Sequence, residues 1–194
     1  AGPEGCWRVG VVAGSPPRAW LPRVSLGAAG AHDCRFRRAP VDWLPVSGRW
    51  DVTYRWQCDP RWSFYTGRHL AGTAVNWFRL AHGRNVTLEF FAAPRMNLER
   101  GEDYGYAADL NATLGAGGYH LDQGCSFLFG GFRNRGSQIV AAGQVLAENP
   151  ELRIPADKKT THRHWFRIKI RKQGSRVAWW IDDQPAGSAI LPDG

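Results

Sequence analysis

Apolar and polar residues alternate with a period of two through most of this chain, most clearly across residues 165–185. Phe166, Ile168 and Ile170 alternate with Arg167, Lys169 and Arg171, a spacing that turns one face of a strand to a core and the other to water. Gln173, Gly174 and Ser175 supply turn chemistry, and residues 176–181 alternate again with β-branched and aromatic side chains. The two runs predict a β-hairpin. Asp182-Asp183-Gln184-Pro185 is expected to close it, since Asp bonds its own backbone in turns and Pro cannot continue an interior ladder.

The same period predicts strands over 50–57, 62–65, 73–80, 86–93, 104–114, 126–129 and 138–142, with turn residues between them. Residues 97–103 and 148–164 read as polar loops, and 145–149 could make at most one turn of helix. The Gly-, Pro-, Ala- and Arg-rich residues 1–39 carry short apolar pieces at 9–12 and 24–26, expected as strands or an arm. Strands spaced by roughly ten residues indicate an all-β, antiparallel β-sandwich of jelly-roll type, expected as one domain over residues 1–194. The turn chemistry at Leu191-Pro192-Asp193-Gly194 predicts a closing strand beyond the last residue, or an unusual pairing of the final residues.

Composition changes this picture in three ways. Ten Trp exceed the needs of a core this size, so some rings are expected at the surface, offering flat apolar faces to a ligand. A net charge of +8 suits an acidic partner, but the Arg residues are spread along the chain without a helix-turn-helix, zinc-finger or aromatic RNA-binding signature, which disfavours nucleic acid. There is no apolar run of about 18 residues, so no membrane span is expected. Cys6, Cys34, Cys58 and Cys125 form no CxxC, which disfavours structural zinc; a disulfide among the first three and buried free thiols are both open readings. A start at Ala1-Gly2 without Met suggests a processed or excised piece, so the lack of a signal peptide says nothing of export.

The stretches SGRWDVTYRWQC (47–58), VTLEFFAAP (86–94), YAADLNATL (106–114) and HWFRIKIRKQGSRVAWWIDDQP (164–185) together resemble concanavalin A-like lectin/glucanase jelly rolls. They are most similar to the laminin-G-like and 3-keto-disaccharide-hydrolase-like domains of bacteria. The resemblance implies carbohydrate recognition by an extracellular, periplasmic or cell-surface protein, with glycoside hydrolysis as an implied activity. The competing implication is a non-enzymatic, laminin-G-like module that binds a protein partner. The Glu-x-Asp-x-x-Glu strand of laminarinase-like glucanases is absent, which argues against an endoglucanase.

Within that frame, Glu89 and Asp109 are the candidate catalytic carboxylates, each on the polar side of a predicted strand. On neighbouring strands they would stand about 5 to 6 Å apart, near the separation a retaining glycosidase needs. The bland reading stands beside it: Asp109 solvates an outer face and Glu89 pairs with Arg55 or Lys169. Candidate substrate contacts are Arg55, Trp56, Phe91, Asn111, His120, Lys169 and Trp180, because rings pack on sugar C–H faces and polar groups bind hydroxyls directionally. Trp179 and Trp180 must point to opposite faces of one strand, so one is expected in the core and the other outside. Glu99, Glu102 and Asp103 offer oxygen ligands for calcium, though their spacing matches no EF-hand. Arg167, Lys169 and Arg171 form a cationic face that would bind an acidic polymer with salt-dependent affinity.

Overall fold

A computed structural model describes residues 9–13, 23–26, 30–33, 40–55, 59–68, 73–79, 83–94, 109–115, 120–157, 159–160 and 164–192. In chain order the strands are β1 (Val9–Ala13), β2 (Arg23–Leu26), β3 (Gly30–Asp33), β4 (Trp43–Ser47), β5 (Arg49–Arg55), β6 (Asp59–Arg68), β7 (Val75–Phe78) and β8 (Val86–Pro94). They continue with β9 (Leu110–Leu114), β10 (Cys125–Gly130), β11 (Gly136–Ala141), β12 (Gln144–Asn149), β13 (Phe166–Gln173), β14 (Arg176–Ile181) and β15 (Gln184–Ile190). The protein is all-β, and among the described residues every strand pairing is antiparallel.

A nine-stranded sheet runs β15-β14-β13-β8-β1-β6-β5, with β2 also paired to β8 and β3 to β2. β8 is its hub: β13 lies along one edge, and β1 and β2 share the other. A four-stranded sheet runs β12-β11-β10-β9, and β4 pairs β7 apart from both. The two larger sheets bury their facing sides in one core, where Phe90, Ile168, Ile170 and Trp179 meet Leu110, Phe127, Phe129 and Ile139. The Phe127 and Trp179 rings are 5.8 Å apart, and Phe129 meets Phe166 edge-on at 4.9 Å. Each of these side chains, fully buried, stabilises the fold by roughly 1.5–3 kcal/mol. The arrangement is sandwich-like. A smaller cluster forms where Trp43, Trp50 and Val52 pack on Tyr65. Gly67, opposite Trp50 in the β5–β6 ladder, is required there, because a Cβ would meet the indole at 2.6 Å.

The predicted hairpin is β13–β14, with Gln173 opposite Arg176 around Gly174-Ser175. Two expectations are corrected. Residues 145–149 are not a helical turn but part of β12: Ala142 and Gly143 both take left-handed φ and fold the chain straight back on β11. Gln184 and Pro185 are not turn but strand, because Asp182 and Asp183, φ 49° and 64°, make the reversal alone. Pro185 is tolerated because β15 is an edge strand and the ladder shifts register beside it. The stretch 1–39, expected as strands or an arm, contributes three strands of the large sheet among its described residues. The predicted loop 97–103 and the first part of the 104–114 strand lie outside the described residues.

Candidate functional site

The alternation that buries Phe166, Ile168 and Ile170 sends Arg167, Lys169 and Arg171 to the outer face of the large sheet. The neighbouring strands add to that face in register. Lys169 lies opposite Glu89 of β8 and Trp180 of β14, and Arg167 lies opposite Phe91. As the period requires, Trp179 is fully buried and Trp180 sits half-buried on the outside.

Arg167 organises one end of this face. Its Nε donates to Glu89 Oε1 at 2.9 Å and its second terminal nitrogen approaches the same oxygen at 2.8 Å. Its Nη1 donates to both oxygens of Asp183 at 2.9 Å. Its backbone N–H donates to Asp182 Oδ1, while Asp182 Oδ2 lies 2.6 Å from His164 Nε2. Burial lowers the affinity of Arg167 for its proton, but Glu89 and Asp183 more than offset this and hold its pKa above the ordinary value. One guanidinium thus takes up two carboxylates. The sharp Asp182-Asp183 turn makes this possible, because it returns both carboxylates to the start of β13.

The other end differs. Lys169 Nζ stands 5.9 Å and Arg171 Cζ 5.7 Å from the centroid of the Trp180 ring, within cation–π range. Exposure rises across the face. Phe91 is buried, Glu89 and Arg167 are partly covered, and Arg171 is open to solvent.

Glu89, a candidate catalytic carboxylate, and Lys169 and Trp180, candidate substrate contacts, therefore share one face. Phe91 is on it too, but only 6% exposed, so its ring is not free to carry a sugar. Asp109 and Asn111 are elsewhere. They stand at β9 in the smaller sheet, on the side away from the core that holds Leu110 and Leu114. Glu89 thus stands in the nine-stranded sheet and Asp109 beside β9 of the four-stranded sheet, so the two are not on neighbouring paired strands. Burial pushes the Asp109 carboxyl up to about 6, against a weak hydrogen bond of 3.4 Å from Asn111. Oδ1 of Asp109 and Oδ1 of Asn111 are buried without a hydrogen-bond partner.

His120 is exposed and leads into a 3₁₀ turn, Leu121–Gln123, before β10. Arg55 ends β5 and its side chain is not described, and Trp56, Glu99, Glu102 and Asp103 lie outside the described residues. Cys125 is a buried free thiol, raised to about 11 by burial; the other three cysteines lie outside the described residues. Among the described residues no group of three or more His, Cys, Asp or Glu could hold a metal ion, and no helix is long and apolar enough to cross a membrane.

The site residues missed as a set were Arg167, Asp182, Asp183 and His164. The signal was present: Arg167 lies on the polar side of its strand, and two Asp residues close the adjoining hairpin. No known protein family, curated protein or solved structure matches this chain.

Proposed function

We propose that the chain is a carbohydrate-recognition domain that takes an extended glycan on the outer face of β8, β13 and β14. The supporting observation is Trp180, a half-buried indole on an outer sheet face with charged hydrogen-bonding groups on either side. Such a ring offers an apolar platform for the C–H face of a sugar, and the Glu89 and Asp183 carboxylates and the flanking cations can bind its hydroxyls. The Arg167 clamp holds the two carboxylates in place before a ligand arrives, which lowers the ordering cost of binding. No hydrolytic step is assigned to Glu89 and Asp109, because they stand on separate sheets. The concanavalin A-like jelly roll and an exported or cell-surface setting belong to this same reading.

A glycan-array and polysaccharide-depletion screen tests it, with the purified chain and its Trp180→Ala variant. The expected result is glycan binding by the parent that weakens about tenfold or more in the variant, a loss of at least ~1.4 kcal/mol, while circular dichroism stays unchanged. Glycan binding that ignores the substitution moves the site off this face. If no glycan binds, the laminin-G-like protein-interaction reading takes its place.

A further inference from the structure

The charges on the outer face are unevenly matched. Glu89 lies directly opposite Lys169 in the β8–β13 ladder, and cross-strand neighbours of opposite sign ordinarily pair. Glu89 instead gives both of its short contacts to Arg167, two residues along β13. Asp183, the other carboxylate within reach, is also taken by Arg167. Among the described residues, Lys169 and Arg171 are left with no carboxylate partner, and both heads converge on one indole. Two cations held near a single ring repel each other, and an anion placed between them relieves that repulsion. The ring lowers the local dielectric and so strengthens the attraction for such an anion. Arg171 is exposed and Lys169 half-buried, so an anion can reach them from solvent.

We propose that Lys169 and Arg171, gathered on Trp180, form a subsite for the acidic substituent of an anionic polysaccharide, a sulfate or carboxylate carried on its sugar ring. This rests on the carbohydrate reading above and adds the class of sugar. The guanidinium of Arg171 can take a sulfate or carboxylate through two parallel hydrogen bonds, and Lys169 supplies a second positive charge. Trp180 then packs on the ring that bears the substituent.

The same face argues against nucleic acid. Along β13 it passes from unpaired cations at residues 169 and 171 to the carboxylates around Arg167 within roughly 7 Å, two residues of strand. A phosphodiester chain carries a charge at every nucleotide and would lay one against Glu89 and Asp183. A glycan charged on only some of its rings can set a neutral ring there, with hydroxyls donating to the carboxylates.

The test measures binding of dextran sulfate, a polyuronate, unmodified dextran and a single-stranded oligonucleotide through the tryptophan fluorescence of the chain. The Lys169→Gln/Arg171→Gln double variant is compared with Arg133→Gln/Arg135→Gln, which removes the same charge from the β10–β11 hairpin of the other sheet. Sulfated dextran and polyuronate should bind and unmodified dextran should not. Affinity should fall about tenfold or more between about 50 and about 500 mM salt. The 169/171 double variant should lose about tenfold or more in affinity, while the 133/135 control stays close to the parent.

Equal losses in both double variants would mean that net charge alone attracts the polymer, and the subsite would fall. Binding of unmodified dextran through Trp180 without salt dependence would also remove the acidic subsite, leaving the carbohydrate reading intact. Binding of the oligonucleotide alone, or of nothing, would overturn both.

Discussion

Asp109 shows how burial alone changes the behaviour of one side chain. Its carboxyl titrates at about 6 in the folded chain against an ordinary value of 3.8, because burial disfavours the anion and Asn111 compensates poorly. The folded protein therefore keeps a proton that the unfolded chain has lost between those two values. Stability from this group falls as pH rises through that window, and above about pH 6 the buried anion costs up to ~2–3 kcal/mol. Asp109→Asn should remove this dependence and raise the urea midpoint at about pH 7.5, with little change at about pH 4. A parent and variant whose midpoints differ equally at both pH values would show that Asp109 is not buried as an unpaired acid. The sequence marks Asp109 as polar and outward but carries no sign of its missing partner, because the missing partner is a property of what packs around it.

Among the described elements, the β10–β11 hairpin holds the longest run of left-handed non-glycine residues. Phe132, Arg133 and Asn134 take left-handed φ of 55°, 62° and 60° in succession, each costing about 1–2 kcal/mol for a non-glycine residue. The turn is held by the buried Asn134, whose Nδ2 donates to Ile154 O at 2.6 Å while its Oδ1 accepts from Ile154 N–H at 2.8 Å. Ser137 Oγ adds a bond to Leu152 O and accepts from Gly130 N–H. Gly130 itself has φ 69°, and a Cβ there would meet Ile154 at 2.8 Å.

Asn134→Ala should therefore cost roughly 2–4 kcal/mol, since it strands both backbone groups of Ile154 and removes the restraint on the turn. The exposed neighbour Phe132→Ser should stay within about 0.5 kcal/mol of the parent. Chemical denaturation of the two variants checks this, and equal small losses would mean that the Asn134 bonds do not hold the turn. The predicted strands 86–93 and 126–129 and the 166–181 hairpin were readable because period-two alternation is local. β12 was not: Gly143 marks a turn, but Ala142, which rarely takes a left-handed conformation, gives no sign that it joins Gly143 in a tight two-residue reversal.

For the whole molecule, stability depends on the joint between the two large sheets. Trp179 of β14 reaches across to Phe127 of β10 and fills the space left by Gly187 of β15, where a Cβ would come within 3.1 Å of its Nε1. Trp179→Ala should cost about 3–5 kcal/mol, and both sheets should then unfold in a single transition at lower denaturant. Near- and far-ultraviolet circular dichroism should report the same shifted midpoint. Two separate transitions would mean that the sheets do not share one core.

Within the β13–β14 hairpin the sequence by itself determined the alternating strands, the all-β class, and the division of Trp179 to the core and Trp180 to the outside. Each follows from the two-residue period of a pleated strand, which neighbouring residues settle among themselves. Only the tertiary structure decided that Glu89 meets Arg167 rather than Lys169, that Asp109 stands on another sheet, and that Lys169 and Arg171 are left together on one ring. Those outcomes depend on which strands pair and in what register. Register joins residues 78 positions apart, as in the contact between Glu89 and Arg167, and no local pattern in the chain encodes it.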